Sequence, residues 1–422
     1  MIFLNTIFKS ELRKKFISDS GWLFTERLVR LLINFFIIVL IARHLGPKNF
    51  GLYSFYLSIV LILNVISNLG LDFFLVKQLV TNKSETNTIL GTAFYSKLIA
   101  SFLLFLLILT SLFFIDVNSA ERSILLIFSS VLIFRSFNWL EFYFQSLNQN
   151  KFYSLSSVIS LIISSVINIY GIYSNQEIIF FVFTYCLEII LIYLICYSFS
   201  NRFLKISLKK LRFSKKLFLS FISTTWPIII SSLASIINIR IDQVFIGLYL
   251  NDEILGNYSA SAKIGEAWLV IPAVLSISVF PILNEIRSKN YNRFKQLLNQ
   301  SVVVLSLIGI VFCLLVTVNT EIIIELIFGD KYVLSSGYLK LYIWTGLPYF
   351  IFFAFGHLIY TEEIIDKSLL MSISLIISNL VLNYFLIDVY GAYGAIYATL
   401  ISTFISYVIL YFIVKKYTKF YK

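Results

Sequence analysis

The sequence predicts an all-α integral membrane protein with about twelve transmembrane helices in two six-helix bundles related by a pseudo-two-fold axis along the membrane normal. Three observations predict it: an apolar, charge-poor composition, a series of apolar runs long enough to cross a bilayer, and basic residues concentrated on alternate loops. Of the 422 residues, 59% are hydrophobic and 13% charged, against roughly 25% charged in a soluble domain. Mean hydropathy is +0.88. A soluble fold needs a polar shell that this composition cannot supply, so lipid is the implied solvent.

The runs are taken in order. In the first half they are Phe16 to His44, Phe50 to Val76, Ile89 to Phe114, Arg122 to Gln145, Phe152 to Tyr173 and Ile178 to Phe199. In the second half they are Leu217 to Leu248, Leu255 to Leu283, Leu297 to Val318, Leu339 to Tyr360, Ser368 to Ile387 and Ala392 to Val414. Each is long enough to span hydrocarbon as helix. The segment before the first run mixes Lys9, Arg13, Lys14 and Lys15 with Phe3, Leu4, Phe8 and Leu12 and has no small-residue cleavage site. It reads as an interfacial lead-in helix rather than a removed signal.

The loops test this partition, because one merged or split span would scramble every later loop. The N-terminus, every second loop and the C-terminus together hold about 23 basic residues, and the remaining loops about four. Both ends are therefore expected on the cytoplasmic side. The richest loop carries Arg202, Lys205, Lys209, Lys210, Arg212, Lys215 and Lys216. The expected organisation is an N-terminal bundle over 1–201, a basic cytoplasmic linker over 202–216 and a C-terminal bundle over 217–422. The net charge of +12 is on this reading an orientation signal and not a nucleic-acid footprint.

An internal repeat straddles the linker. Leu45, Gly51, Tyr53 and Ser54 recur at one constant offset as Leu250, Gly256, Tyr258 and Ser259. They fall between the first two spans of each half, where a duplication would leave them.

Ionisable residues inside spans are the candidate functional groups, since each costs at least about 2.5 kcal/mol at a helix centre unless it meets a cavity or a partner. Six cations qualify: Arg27, Arg30 and Lys97 in the cytoplasmic half, Arg135 near the middle, and Arg240 and Lys263 toward the outer end. They form a ladder suited to an anionic cargo, Arg as a planar fork and Lys as a point charge. The alternatives are local neutralisation of Arg30 by Glu26 and of Lys263 by Glu266 on one helix face, and snorkelling of Arg27. Lys97, Arg135 and Arg240 lack an acid three or four residues away.

Asp242, Glu188 and Glu266 are the candidates for ion coupling. Asp242 lies about 200° around the helix from Arg240, so one of the two is expected to turn toward the other bundle. Glu188 sits among Ile and Leu with no local base and is either a proton carrier or a neutral structural carboxyl. His44 and His357 lie near span ends and Pro227, Pro272, Pro281 and Pro348 at candidate kinks. Cys186, Cys196 and Cys313 lie in apolar runs without metal-site or disulfide spacing. No cofactor is expected, and no GxxxxGK[ST] motif suggests a nucleotide site.

Two segments carry a family likeness: ARHLGPKNFGLYSFYLSIV from Ala42, with the following NLGLDFFLVKQ, and IRIDQVFIGLYLNDEILGNYSASAKIGEAWLVIPAVLSISVFP from Ile239. Fainter echoes are YFQSLNQNKF from Tyr143, IFGDKYVLSSGYLKLY from Ile327 and GAYGAIYATLIS from Gly391. In these the chain resembles the Wzx-type O-antigen and polysaccharide flippases of the multidrug/oligosaccharidyl-lipid/polysaccharide exporter superfamily. The resemblance implies a MATE-like fold, alternating access, and an undecaprenyl-diphosphate-linked oligosaccharide as cargo in a bacterial inner membrane, with H+ or Na+ as a coupling ion and other polysaccharide-assembly proteins as partners.

Two rivals remain: a small-molecule exporter on the same fold, which a mainly basic core would disfavour, and a membrane polysaccharide polymerase, which would need a larger external loop.

Overall fold

The computed structural model describes residues 10–115, 117–204, 206–269, 283, 285–287, 289–350 and 365–418, and among them every regular element is a helix. The first, α1 (Ser10–Asn68), is two helices merged across a bend at Gly46, where φ is +72°, followed by Pro47. Proline cannot supply the backbone N–H that a continuous helix requires, and glycine tolerates the left-handed turn. Next come α2 (Asp72–Thr81), α3 (Thr86–Ser111), α4 (Ser119–Arg135), α5 (Trp139–Ser146), α6 (Asn150–Tyr173) and α7 (Ile178–Leu204). The remainder are α8 (Lys215–Tyr249), α9 (Asp252–Ala267), α10 (Tyr291–Val318), α11 (Thr320–Phe328), α12 (Val333–Tyr342), α13 (Ile365–Tyr390) and α14 (Ala392–Tyr417).

Nine of the described helical stretches are long and apolar enough to cross a membrane, and the first, Gly21–Asn68, spans 48 residues and covers two expected crossings. Expected spans eight and ten start as helix, in α9 and at Leu339, and continue outside the described residues. His357, Pro272 and Pro281 also lie outside them.

Helix α6 is inside-out relative to a helix of a soluble bundle. Along α6 most buried residues are small or polar, Ser154, Ser156, Ser157, Ser160, Ser164, Ser165 and Asn168 among them, with Leu161 the large apolar exception, while Ile162, Val166, Ile169 and Tyr170 are at least half exposed. In lipid the apolar side chains gain nothing by turning inward, whereas small and hydroxylated ones let backbones approach closely. Most of these serines return their hydroxyl proton to a carbonyl three or four residues back, as Ser160 does to Ser156 at 2.8 Å.

The chain divides into two compact units: Met1–Ile41 with Val60–Ile229, and Ala42–Ile59 with Ile230–Lys422. This division differs from the expected one in three ways, each with a local cause. The basic segment expected as a linker is docked onto the first unit: Ile206 and Leu211 are buried in its apolar cluster, and the Arg212 N–H donates to the Asn87 carbonyl at 3.2 Å. The start of α8 belongs to the same unit, through buried Phe221 and a 2.9 Å bond from the Thr225 hydroxyl to the Leu69 carbonyl. Residues 42–59 pack instead within the second unit, where Ser58 donates to Gln243 at 2.8 Å and the Tyr332 hydroxyl donates to the Ala42 carbonyl at 2.7 Å.

Candidate functional site

Four of the six candidate cations lie in the first unit and two in the second. In the first unit Arg30, on α1, is shared between two acids from different helices. Its Nε donates to Glu26 at 3.0 Å, one turn earlier, and its Nη1 to Glu188 of α7 at 2.6 Å. Ser157 of α6 lies against the same guanidinium and donates its own proton to Glu26. Ser164 donates to the other oxygen of Glu188 at 2.9 Å. The base that Glu188 lacks on its own helix is supplied by Arg30, remote in sequence but adjacent in space. The local Glu26–Arg30 pairing is present as well.

Lys97, on α3, is 1% exposed and is held by three oxygens: Asn68 Oδ1 at 2.5 Å, Asp72 Oδ1 at 2.9 Å and Asn138 Oδ1 at 2.8 Å. Asn68 and Asp72 flank the break between α1 and α2, where Leu69 and Gly70 both have positive φ. An ammonium has three protons, so this cage saturates it. The geometry makes Lys97 the pin of a chain break, with no donor left over for a ligand.

Arg135, at the end of α4, differs from the rest. Its Nη2 donates to the Tyr185 hydroxyl at 3.1 Å, with Tyr153 and Tyr193 in electrostatic range, and among the described residues no carboxylate pairs with it. A guanidinium has five N–H donors, so one tyrosine leaves most of its capacity unused. Nearby on α5, Glu141 accepts from the Tyr153 hydroxyl and is within electrostatic reach of Arg27, whose own side chain is exposed.

In the second unit Arg240 of α8 grips Glu266 of α9 with both terminal nitrogens, at 3.0 and 2.8 Å. Lys263 stands 4.0 Å from the same carboxylate. Asp242 is 1% exposed and accepts from the Tyr258 hydroxyl and from the Gln243 N–H at 2.8 Å. Arg240 and Asp242 thus both reach α9, and neither turns away as their angular separation suggested: the long arginine side chain reaches round the helix, while the short carboxylate points directly at it.

A neutral polar core, Asn238, Asn379, Asn383, Ser402 and Thr403, joins α8 to α13 and α14.

Among the described residues, the six candidate cations are matched in number by six acids, Glu26, Asp72, Glu141 and Glu188 in the first unit and Asp242 and Glu266 in the second. The expected mainly basic core is corrected accordingly: Asp72 and Glu141, which the cation count passed over, restore the balance. Both could have been found as acids inside apolar runs, the same signal that selected the cations.

The family model described as "Polysaccharide biosynthesis protein" matches residues 16–287, well over half of the chain. The chain belongs to that family. A second model, MatE, matches residues 227–385 of this polysaccharide biosynthesis family member. A curated relative from Shigella flexneri, described as "Putative O-antigen transporter", is 24% identical over 170 residues, 39% of this chain and 40% of that protein's length.

Among solved structures, "Lipid II flippase MurJ, inward closed conformation" superposes with a TM-score of 0.73 at 18% identity, covering 95% of this chain and 88% of that one. An inward-facing multidrug resistance MATE family transporter gives 0.72 at 12% identity, covering 92% and 95%. At such identities the likeness is one of fold: this is an all-helical, MATE-like architecture.

Proposed function

We propose that this family member moves a lipid-linked oligosaccharide with an anionic diphosphate head from the cytoplasmic to the outer face of a bacterial plasma membrane by alternating access, without covalent chemistry. The reading takes the topology inferred from the loops, twelve spans in two six-helix bundles with both termini cytoplasmic. Family membership supports the class of cargo. Arg135 is the single observation that carries the recognition step, because its guanidinium has open donors and no paired acid where a diphosphate oxygen can be received.

Arg30, Lys97, Arg240 and Lys263 serve this reading less directly, since each is engaged with an acid. Arg27 and Arg30 remain proposed contacts at the cytoplasmic side, with Arg30 released from Glu188 when cargo arrives. Glu188, Asp242 and Glu266 remain the proposed acids for H+ or Na+ coupling. A second reading, export of small molecules, is favoured by the MatE match over residues 227–385 and by the charge balance, which no longer argues against a cationic cargo.

The test is reconstitution into liposomes with a fluorescent undecaprenyl-diphosphate oligosaccharide, scored by quenching from outside. Charge-assisted hydrogen bonds contribute about 1.5–3 kcal/mol each. Arg135→Ala should therefore weaken binding roughly 10- to 100-fold while inserting normally. Binding of organic cations in place of the lipid diphosphate, or unchanged translocation by Arg135→Ala, would overturn the assignment.

A further inference from the structure

The basic stretch after α7 holds more positive charge than its local structure can use. Seven cations lie between Arg202 and Lys216, and between Glu188 and Asp242 the sequence has no acid. Among the described residues, Arg202, Lys209, Lys210, Arg212, Lys215 and Lys216 are all exposed, and none of the six is in an ion pair. Lys215 and Lys216 open the first turn of α8, which contains no acid, and a helix N-terminus disfavours cations. Orienting the neighbouring spans needs the charge of this stretch but no fixed shape.

The shape is nevertheless fixed. Ile206 and Leu211 are buried in the apolar cluster of the first unit, and the Lys210 N–H donates to the Ser207 carbonyl at 3.0 Å. The Ser214 N–H donates to the Thr92 hydroxyl of α3 at 3.0 Å, and a Cβ at Gly91 would overlap the Arg212 backbone. Ordering each residue costs conformational entropy, which a mere tether would not incur. What results is a rigid backbone whose cations are left exposed.

Apolar rings stand among those cations. Phe203 is 53% exposed and Phe213 48%. Phe203 stacks on Phe152 at 4.9 Å, the Arg202 guanidinium lies 5.9 Å from the Phe203 ring, and Phe213 is 6.1 Å from Phe218. Basic heads interleaved with exposed rings make an interfacial binding segment: the rings enter the acyl boundary and the cations take the head groups. Clusters of about four to eight Lys and Arg just cytoplasmic of a span attract anionic lipid. An acidic protein or a nucleic acid would use the charge and leave the rings in water.

We propose that Arg202 and Phe203 with residues 206–219 form a binding site for anionic phospholipid, with Lys209, Lys210 and Arg212 on the phosphodiester and Phe203 and Phe213 at the upper ends of the acyl chains. This lipid is a bound partner of the first unit and is distinct from the cargo. The inference rests on the topology of the transport reading, which sets the segment at the cytoplasmic leaflet, and not on the identity of the cargo.

The test uses the full-length chain with Cys186, Cys196 and Cys313 replaced by Ala and a bimane on Ser220→Cys, an exposed position next to the segment. It is reconstituted in phosphatidylcholine vesicles doped with tail-brominated phosphatidylglycerol or tail-brominated phosphatidylcholine. Both leaflets have one composition, so orientation in the vesicle does not enter. At about fivefold per cation near a surface, one or two cations on each phosphodiester give a quenching preference for phosphatidylglycerol on the order of tenfold. Lys209→Gln/Lys210→Gln/Arg212→Gln should bring that preference down to about one. Lys367→Gln/Lys415→Gln/Lys416→Gln, which removes as many charges from the second unit, should leave it unchanged.

In neutral detergent, phosphatidylglycerol should raise the melting midpoint of the parent, as a ligand of the folded state does, and should not raise that of the first triple variant. Equal quenching of the parent by the two lipids, or the same loss in both triple variants, would overturn the site. Labelling of Ser220→Cys in intact cells by a membrane-impermeant maleimide would defeat the topology of the transport reading instead, and the quenching, which needs neither orientation nor cargo, still decides the lipid site.

Discussion

The Lys97 cage makes an asymmetric prediction about which half of an ion pair matters. Asp72→Ala leaves the ammonium buried at 1% exposure with two amide oxygens and no counter-charge. Losing one partner of a buried pair costs about 3–5 kcal/mol. Lys97→Met leaves Asp72, whose side chain is 30% exposed and still accepts from Asn68 Nδ2 at 2.6 Å, so the loss there is about 1–2 kcal/mol. For a unit of roughly 200 residues each kcal/mol moves the melting midpoint by about 2–4 °C. Asp72→Ala should then fall by roughly 10 °C and Lys97→Met by only a few degrees.

The double variant should resemble Lys97→Met, because removing the stranded charge removes the penalty. Heating the detergent-solubilised protein and following the monodisperse peak by fluorescence-detected size exclusion measures all three. A double variant as unstable as Asp72→Ala, or a Lys97→Met that melts lower than Asp72→Ala, would refute the account of Lys97 as a caged pin.

Glu266→Ala strands two cations, Arg240 and Lys263, and should destabilise the protein by about 3–5 kcal/mol, more than Arg240→Met, as read by the same melting assay. Glu188→Gln keeps Arg30 paired to Glu26 and Ser157, so expression and melting should stay near wild type. If Glu188 carries the coupling proton, that variant's translocation in liposomes should lose its response to an imposed pH gradient, and an intact response would remove Glu188 from coupling. Gly70→Ala demands a positive φ of an L side chain and crowds Ile229, so it should cost about 1–2 kcal/mol, visible as a lowered midpoint without any change in cargo selectivity.

Much of this architecture was legible in the amino-acid order, for a physical reason. Hydropathy reports the solvent of each segment directly, so the apolar runs marked the helices, and the gap from His44 to Phe50 marked the bend between the first two. The repeat likewise pointed to Gly51 and Gly256, where a Cβ would overlap the Asp252 and Pro47 carbonyls. Side-chain partnerships were legible only along one helix. Glu26 with Arg30 and Lys263 with Glu266 lie a turn apart and were found. Glu188 with Arg30, Asp72 with Lys97 and Glu266 with Arg240 join different helices, and periodicity says which face a residue occupies but not which helix that face meets. The impression of a basic interior had a different cause: Asp72 and Glu141 lie inside apolar runs like the cations and were left out of the count. The two compact units divide where they do because backbone-close glycine packing and buried Leu211 outweigh chain order, neither of which is visible in loop charge.

The span between Arg30 and Glu188, 158 residues, has a consequence for biogenesis. At ~5–20 residues per second the ribosome completes α7 about 10–30 s after Arg30 has been made. During that interval Glu26, one turn away, is the only acid of the later network already present, so the first span can leave the translocon self-neutralised while its second carboxylate is still unmade. Lys97 does not wait for its counter-charge, since Asp72 precedes it by 25 residues and the two can partition into lipid as one neutral hairpin, with only the Asn138 amide arriving later. The first unit thus holds one cation that enters with its counter-charge already in place and another whose coordination closes only when α7 arrives, so the emergence of α7 is the moment at which the buried charges of α1 are first fully matched.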